Sequence, residues 1–267
     1  MDKKKRYLLL SLVLLMMILT VPCLALEMGI SPPDITLQIA PGQTYTGEIL
    51  VYGSENETTE ISVVKHDWSL TTAGEYQFLP MGTVKRSASP WVSLAVNRLT
   101  LPPKRGQRIQ YTVKVPAGAS GSYWGAIMFT SVPANSGEKP MVQLTTAGRI
   151  AYILKIDVNG SPPAVGNIDR FKLNWLNETK KVAAVFRIKN SGTSFLRFKG
   201  RLEIRDRQGV IVYVIPFNEG LILPDSVHEF SLRDYSFNFK PGYYVALAIA
   251  DLGDKSMKAM QSTFEVK

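Results

Sequence analysis

The chain reads as an all-β protein of two tandem sandwich domains behind an N-terminal apolar segment. Three observations carry this. Apolar residues recur at period two over strand-length runs: Ile109, Tyr111, Val113 and Val115 alternate with Arg108, Gln110, Thr112 and Lys114, which buries one face and wets the other. Proline and glycine punctuate the runs at chain-reversal positions, as in Leu101-Pro102-Pro103-Lys104 before that strand and Pro116-Ala117-Gly118 after it. No helical periodicity of useful length follows the N-terminal segment. Gly121-Ser122-Tyr123-Trp124 then opens a second apolar run, Ala126-Ile127-Met128-Phe129. A tyrosine at the start of such a strand is where immunoglobulin-like sandwiches place a tyrosine corner.

The N-terminus sets the compartment. Lys3, Lys4, Lys5 and Arg6 precede an apolar run from Tyr7 to Val21, and Cys23-Leu24-Ala25 follows as a small-x-small cleavage site. Basic, apolar, small is the order of a secretory signal, so residues 1–25 are expected to be a signal peptide cut after Ala25. The competing outcomes are an uncleaved anchor, with the domains still facing out, and lipidation at Cys23, which Pro22 disfavours. Either way the chain is expected to be periplasmic or at the cell surface. Cys23 is the only cysteine, so a cleaved chain has no disulfide and holds together by core burial. About 240 residues suffice for two ordinary domains. Cleavage removes four bases and one acid, lowering the net charge from +9 to +6.

The first domain is expected over residues 26–159. Its strands read as Ile35 to Ile39, Tyr45 to Tyr52, Glu60 to Leu70, Trp91 to Val96, Ile109 to Val115, Trp124 to Val132 and Val142 to Val158. Gly160-Ser161-Pro162-Pro163 lies in a stiff linker, residues 160–164. The second domain, 165–267, has strand-length runs at Leu173 to Leu176, Val182 to Lys189, Leu202 to Asp206, Val210 to Ile215, Glu229 to Leu232 and Tyr243 to Asp251, with Arg207-Gln208-Gly209 as a hairpin turn. Leu-Pro, an alternating strand, a Pro/Gly turn and an aromatic pair recur in both domains: Leu101-Pro102 to Tyr123-Trp124, and Leu223-Pro224 to Tyr243-Tyr244.

Chemistry is sparse. His66 and His228 are the only histidines and fall in different domains, so neither a paired imidazole metal site nor a His-centred triad is expected. His66-Asp67-Trp68 reads as a strand edge with Trp68 buried, and His228 as a surface residue at a strand start. Nucleophile-elbow and phosphate-cradling glycine patterns are absent, and Asp251-Leu252-Gly253-Asp254 reads as a turn, not a calcium loop. No catalytic residue, metal or cofactor is therefore assigned, and the chain is not expected to be an enzyme. Asn56-Glu57-Thr58 and Asn177-Glu178-Thr179 mark exposed loops. Positive charge gathers between Arg170 and Arg207, where Arg201, Arg205 and Arg207 project from one side of a strand. That side is either a solvated sheet face or a contact for an anionic envelope polymer or acidic partner. Nucleic acid is not expected to meet an exported chain.

The first domain resembles the N-terminal domain of PapD-type periplasmic pilus-assembly chaperones, which are sandwich proteins. The residues that carry the resemblance are Ile35 to Tyr52, Leu101-Pro102-Pro103, Tyr123 to Val132-Pro133 and the strand Arg149 to Asp157. It extends to tandem immunoglobulin-like surface proteins through Asn190-Ser191-Gly192 and Pro241-Gly242-Tyr243. The resemblance implies donor-strand work. The last strand of the first domain would lend Ile150, Tyr152, Leu154 and Ile156 to an exported protein subunit by strand addition. Two basic residues between the domains would hold the subunit's terminal carboxylate, with Arg149 as one candidate. The other falls on the first strand, and Pro32-Pro33-Asp34-Ile35-Thr36-Leu37-Gln38-Ile39 has neither Arg nor Lys. The alternatives are an ordinary core strand with Arg149 as an edge charge, in a structural cell-envelope protein that binds a wall polymer or surface partner.

Overall fold

The computed structural model describes residues 28–132, 148–253 and 257–267. The expected signal segment and the 142–147 part of the expected long strand lie outside them. Seventeen strands follow in chain order: β1 (Gly29–Ser31), β2 (Asp34–Ile39), β3 (Thr44–Tyr52), β4 (Thr59–Leu70), β5 (Tyr76–Pro80), β6 (Val92–Leu94), β7 (Arg98–Leu101), β8 (Gly106–Lys114), β9 (Ser122–Val132), β10 (Arg149–Val158), β11 (Gly166–Leu176), β12 (Lys181–Asn190), β13 (Leu196–Arg205), β14 (Ile211–Ile222), β15 (Val227–Ser236), β16 (Gly242–Asp251) and β17 (Met257–Val266). In the first sandwich a sheet ordered β1-β3-β8-β6 faces one ordered β2-β10-β9-β4-β5, with β7 also on β4. In the second, β11-β12-β15 faces β14-β13-β16-β17. The fold is all-β, two immunoglobulin-like sandwiches.

Period-two alternation builds each core. Ile49 and Val51 of β3 and Ile109, Tyr111 and Val113 of β8 meet Ile61 and Val63 of β4, Ile127 and Phe129 of β9, and Tyr152, Leu154 and Ile156 of β10. At the centre the buried Tyr111 and Tyr152 hydroxyls share a 2.7 Å hydrogen bond. Burial raises both above the ordinary tyrosine range, Tyr152 to about 12. In the second core Phe186 stacks on Phe217 at 5.0 Å and lies 5.5 Å from Phe230. The tyrosine corner forms at Tyr244, whose hydroxyl donates to the Lys240 carbonyl. Tyr123, where the corner was expected in the first sandwich, instead lies under the Arg86 guanidinium.

Several elements depart from the sequence reading. Pro90 turns Ser89–Trp91 into a single 3-10 turn, leaving only Val92–Leu94 of the expected Trp91 to Val96 strand. The strands β1, β5, β7 and β17 lie outside the expected runs. β5 is largely exposed and β17 alternates apolar and polar residues only weakly, so neither carries a clear period-two stripe. The expected Arg207-Gln208-Gly209 turn is present: the Asp206 carbonyl accepts from the Gly209 N–H, the Asp206 N–H donates to the Val210 carbonyl, and the Val210 N–H donates to the Asp206 carboxylate, with Gly209 at φ +83°. β4 lies inside its sheet rather than at an edge, and Asp67 is buried there, accepting from the Ser87 hydroxyl and the Val84 N–H.

The two sandwiches meet across an apolar cluster of Trp68, Trp124 and Ala126 from the first against Phe195 and Leu223 from the second. Each tryptophan N–H is satisfied, Trp68 by the Gly125 carbonyl and Trp124 by the Trp68 carbonyl. His228, at the start of β15 as expected, is half-buried beside this seam rather than fully exposed. Its ring packs 4.4 Å from Phe230 and 5.2 Å from Phe198, and burial holds its pKa below the usual histidine range. Gly74 abuts it: a Cβ there would lie 2.7 Å from the imidazole, at a φ of +88° that already favours glycine.

Candidate partner-binding site

The site is built by a strand that changes sheets. β1 pairs antiparallel with β3 in one sheet, and β2 pairs in parallel with β10 in the other. Between them stand Pro32 and Pro33, which have no N–H to give to either ladder. The crossing leaves β10 covered over only part of its length. Ile153 through Val158 pair with Asp34 through Ile39, beginning at the Ile153 N–H on the Pro33 carbonyl, 3.1 Å. Arg149 through Tyr152 pair with β9 on their other side, but among the described residues no strand covers their outer edge.

Parity fixes what that edge offers. The Ile153 N–H points toward β2, so in the alternating backbone Arg149 and Ala151 turn their N–H and C=O groups the same way, into the open. The side chains sort differently. Tyr152, Leu154 and Ile156 are 0% exposed and belong to the first core. Ile150 is only partly buried against that core. The alternating apolar face is thus occupied by the chain's own packing, which corrects the expectation that all four side chains are free to lend. Among the described residues, what stays without a strand partner is backbone at Arg149 and Ala151, flanked by Ile150.

Arg149 is exposed at the start of β10, whereas the linker follows its far end. Nine residues of strand put roughly 30 Å between them. Arg149 therefore does not lie between the domains, against the position the resemblance implied. The β10 cation toward the linker is Lys155, whose ammonium is paired with the Asp34 carboxylate. Sequence reasoning gave Lys155 no role. Asp34 is the acid in an otherwise base-free first strand, and that was the signal for the pair.

The seam beside Lys155 is hydrogen-bonded as well as apolar. Ser122 Oγ donates to the Asp157 carboxylate and accepts the Phe195 N–H at 2.8 Å, while the Ser122 N–H donates to the Thr193 carbonyl at 2.8 Å. Gly121, at φ +89°, allows that approach: a Cβ would lie 2.4 Å from the Thr193 oxygen. Arg86 donates to the Ser120 and Ser122 carbonyls on the same seam.

The expected basic strand face resolves otherwise. Glu203 is 3% exposed on β13 between Arg201 and Arg205. Arg205 grips one carboxylate oxygen at 2.6 and 3.1 Å and Arg201 the other at 2.7 Å. These bonds, Arg205's first, hold the Glu203 carboxyl below the usual range. Arg201 and Arg205 are spent on a buried acid, and Arg207 sits apart in the hairpin turn. The strand's alternating charges hid this because Glu203 was read as one more exposed residue.

Fold and site together define a two-sandwich protein in which, among the described residues, β10 is covered by β2 from Ile153 onward and uncovered over Arg149–Tyr152. No protein-family model matches the chain, and no curated protein matches it. Among the solved structures it is similar to are fimbrial chaperones. The class 5 fimbriae chaperone CfaA is 16% identical, with 89% of this chain and 99% of that one covered and a TM-score of 0.44. The E. coli chaperone DraB is 12% identical, with 91% and 98% covered and a TM-score of 0.45. The chaperone–tip subunit complex CsuC–CsuE of Acinetobacter baumannii is 9% identical, with 89% and 97% covered and a TM-score of 0.45.

Proposed function

We propose that the chain is an extracytoplasmic protein-binding module that acts as a chaperone in assembling a surface structure, through strand addition at the Arg149–Tyr152 edge. The carrying observation is the sheet change at Pro32-Pro33, which leaves the outward backbone groups of Arg149 and Ala151 without a strand partner among the described residues, on a strand otherwise locked into the core. Main-chain bonds at such an edge give affinity to an extended segment, and side pockets give selectivity. The partner is an exported subunit whose own sandwich lacks a strand, the chemistry that needs an edge to borrow. Ile150 flanks the join, and Arg149 meets an acidic or terminal carboxylate group of the subunit at the open end, away from the domain seam.

The test is co-export with candidate subunits, wild type beside Ala151→Pro. The substitution removes the edge N–H without touching the core. A complex near one-to-one that is lost in Ala151→Pro, with the melting temperature held within a few degrees, supports the reading. Equal recovery with both chains, or recovery of envelope polymer alone, overturns it and favours a structural envelope role.

A further inference from the structure

A second surface, on the other domain, has the chemistry of a docking site. We propose that the outer face of the β11-β12-β15 sheet docks an extended, acidic segment of a partner protein. This does not rest on the β10 edge.

The face is a trough of about 510 Å³ whose floor is Ala183 and Val185 of β12, walled by Arg170 and Lys172 of β11 and bounded by Glu229 of β15. Register places Arg170 opposite Arg187, and Arg187 opposite Glu229; Lys172 lies opposite Val185. Two guanidiniums directly across a strand pair repel. Arg187 is compensated: Asp169 takes it as a fork, with both bonds at 2.8 Å, and the Asp169 carboxyl is held below its usual range by that contact. Arg170 and Lys172, both exposed, make no hydrogen bond or ion pair among the described residues. An anion laid in the trough meets the two cations there, Arg170 and Lys172, that have no ion-pair partner among the described residues.

Spacing and floor select the anion. Arg170 and Lys172 are two residues apart on a strand, roughly 7 Å, the repeat of alternate side chains in any extended peptide. β11 and β15 stand two strand spacings apart, roughly 10 Å, room for one such chain. The apolar floor rewards methylene and methyl groups, which a polypeptide has and a phosphate polymer lacks.

The probe is a short synthetic peptide of alternating glutamate and valine, titrated against the full exported chain by calorimetry at low and physiological salt. A glutamate–serine peptide and polyphosphate serve as comparisons. Expected are binding that weakens with salt, about tenfold weaker binding for Lys172→Ala, loss in Arg170→Glu/Lys172→Glu, and no change for Arg207→Glu on the other sheet. Absence of binding overturns the proposal, as does binding indifferent to Arg170 and Lys172. Polyphosphate or the serine peptide binding as tightly as the valine peptide overturns the assignment to an acidic protein segment.

Discussion

The two halves of β10 share one strand, one neighbour in β9 and one apolar alternation, yet differ in what lies on their other side. Ile153 through Val158 are bracketed by β2 and β9 and bury Leu154 and Ile156 completely. Among the described residues, Arg149 through Tyr152 are held by β9 alone. The difference originates outside the strand, in two prolines that carry the N-terminal segment from one sheet to the other. A strand's availability is therefore set by its neighbour's crossing point, while its own sequence sets only which side chains face the core.

The comparison breaks most visibly at Leu154. Leu154→Ala in the closed half is expected to cost about 3 kcal/mol of unfolding free energy in a denaturant titration, whereas Ala151→Pro at the open edge costs less than about 1 kcal/mol because no ladder bond is lost there. Equal costs would mean that the edge is not open. A smaller effect separates the two arginine settings of the second domain. Glu203→Gln leaves Arg201 and Arg205 facing each other and is expected to cost about 1–2 kcal/mol, while Arg207→Ala stays within about 0.5 kcal/mol.

The domain seam responds to pH through His228. Its folded pKa lies below the unfolded value of about 6.5, so the unfolded chain takes up a proton first as pH falls. Stability is then expected to decline from neutral pH downward through that window and to level below the folded pKa. His228→Phe should flatten this part of a melting-temperature profile; an unchanged profile would remove His228 from the account of the seam. The smallest effect belongs to the closed half's ion pair. Asp34 is half exposed, so Asp34→Asn is expected to cost only about 0.5 kcal/mol, measured in the same denaturant titration.

Much of the fold was legible because alternation and Pro/Gly punctuation are local. The β8 stripe and the Arg207-Gln208-Gly209 turn could be read directly, whereas the tyrosine corner expected at Tyr123 forms at Tyr244. What could not be read depends on partners distant in sequence. Ile150 through Ile156 alternate identically whether the apolar side faces a partner or the chain's own core, and only the opposing sheet decides. Glu203 reads like any exposed acid until the neighbouring strands β14 and β16 bury it. His228 reads as a surface residue until the other domain's Gly74 closes over its ring.

Amide hydrogen exchange resolved along β10 in the free chain tests the open edge most directly. The Arg149 and Ala151 amides, aimed at the uncovered side, are expected to exchange at least about a hundredfold faster than Ile153 and Lys155, which donate toward β2. Comparable protection at all four would contradict an open edge at Arg149–Tyr152 and, with it, strand addition as the mode of binding.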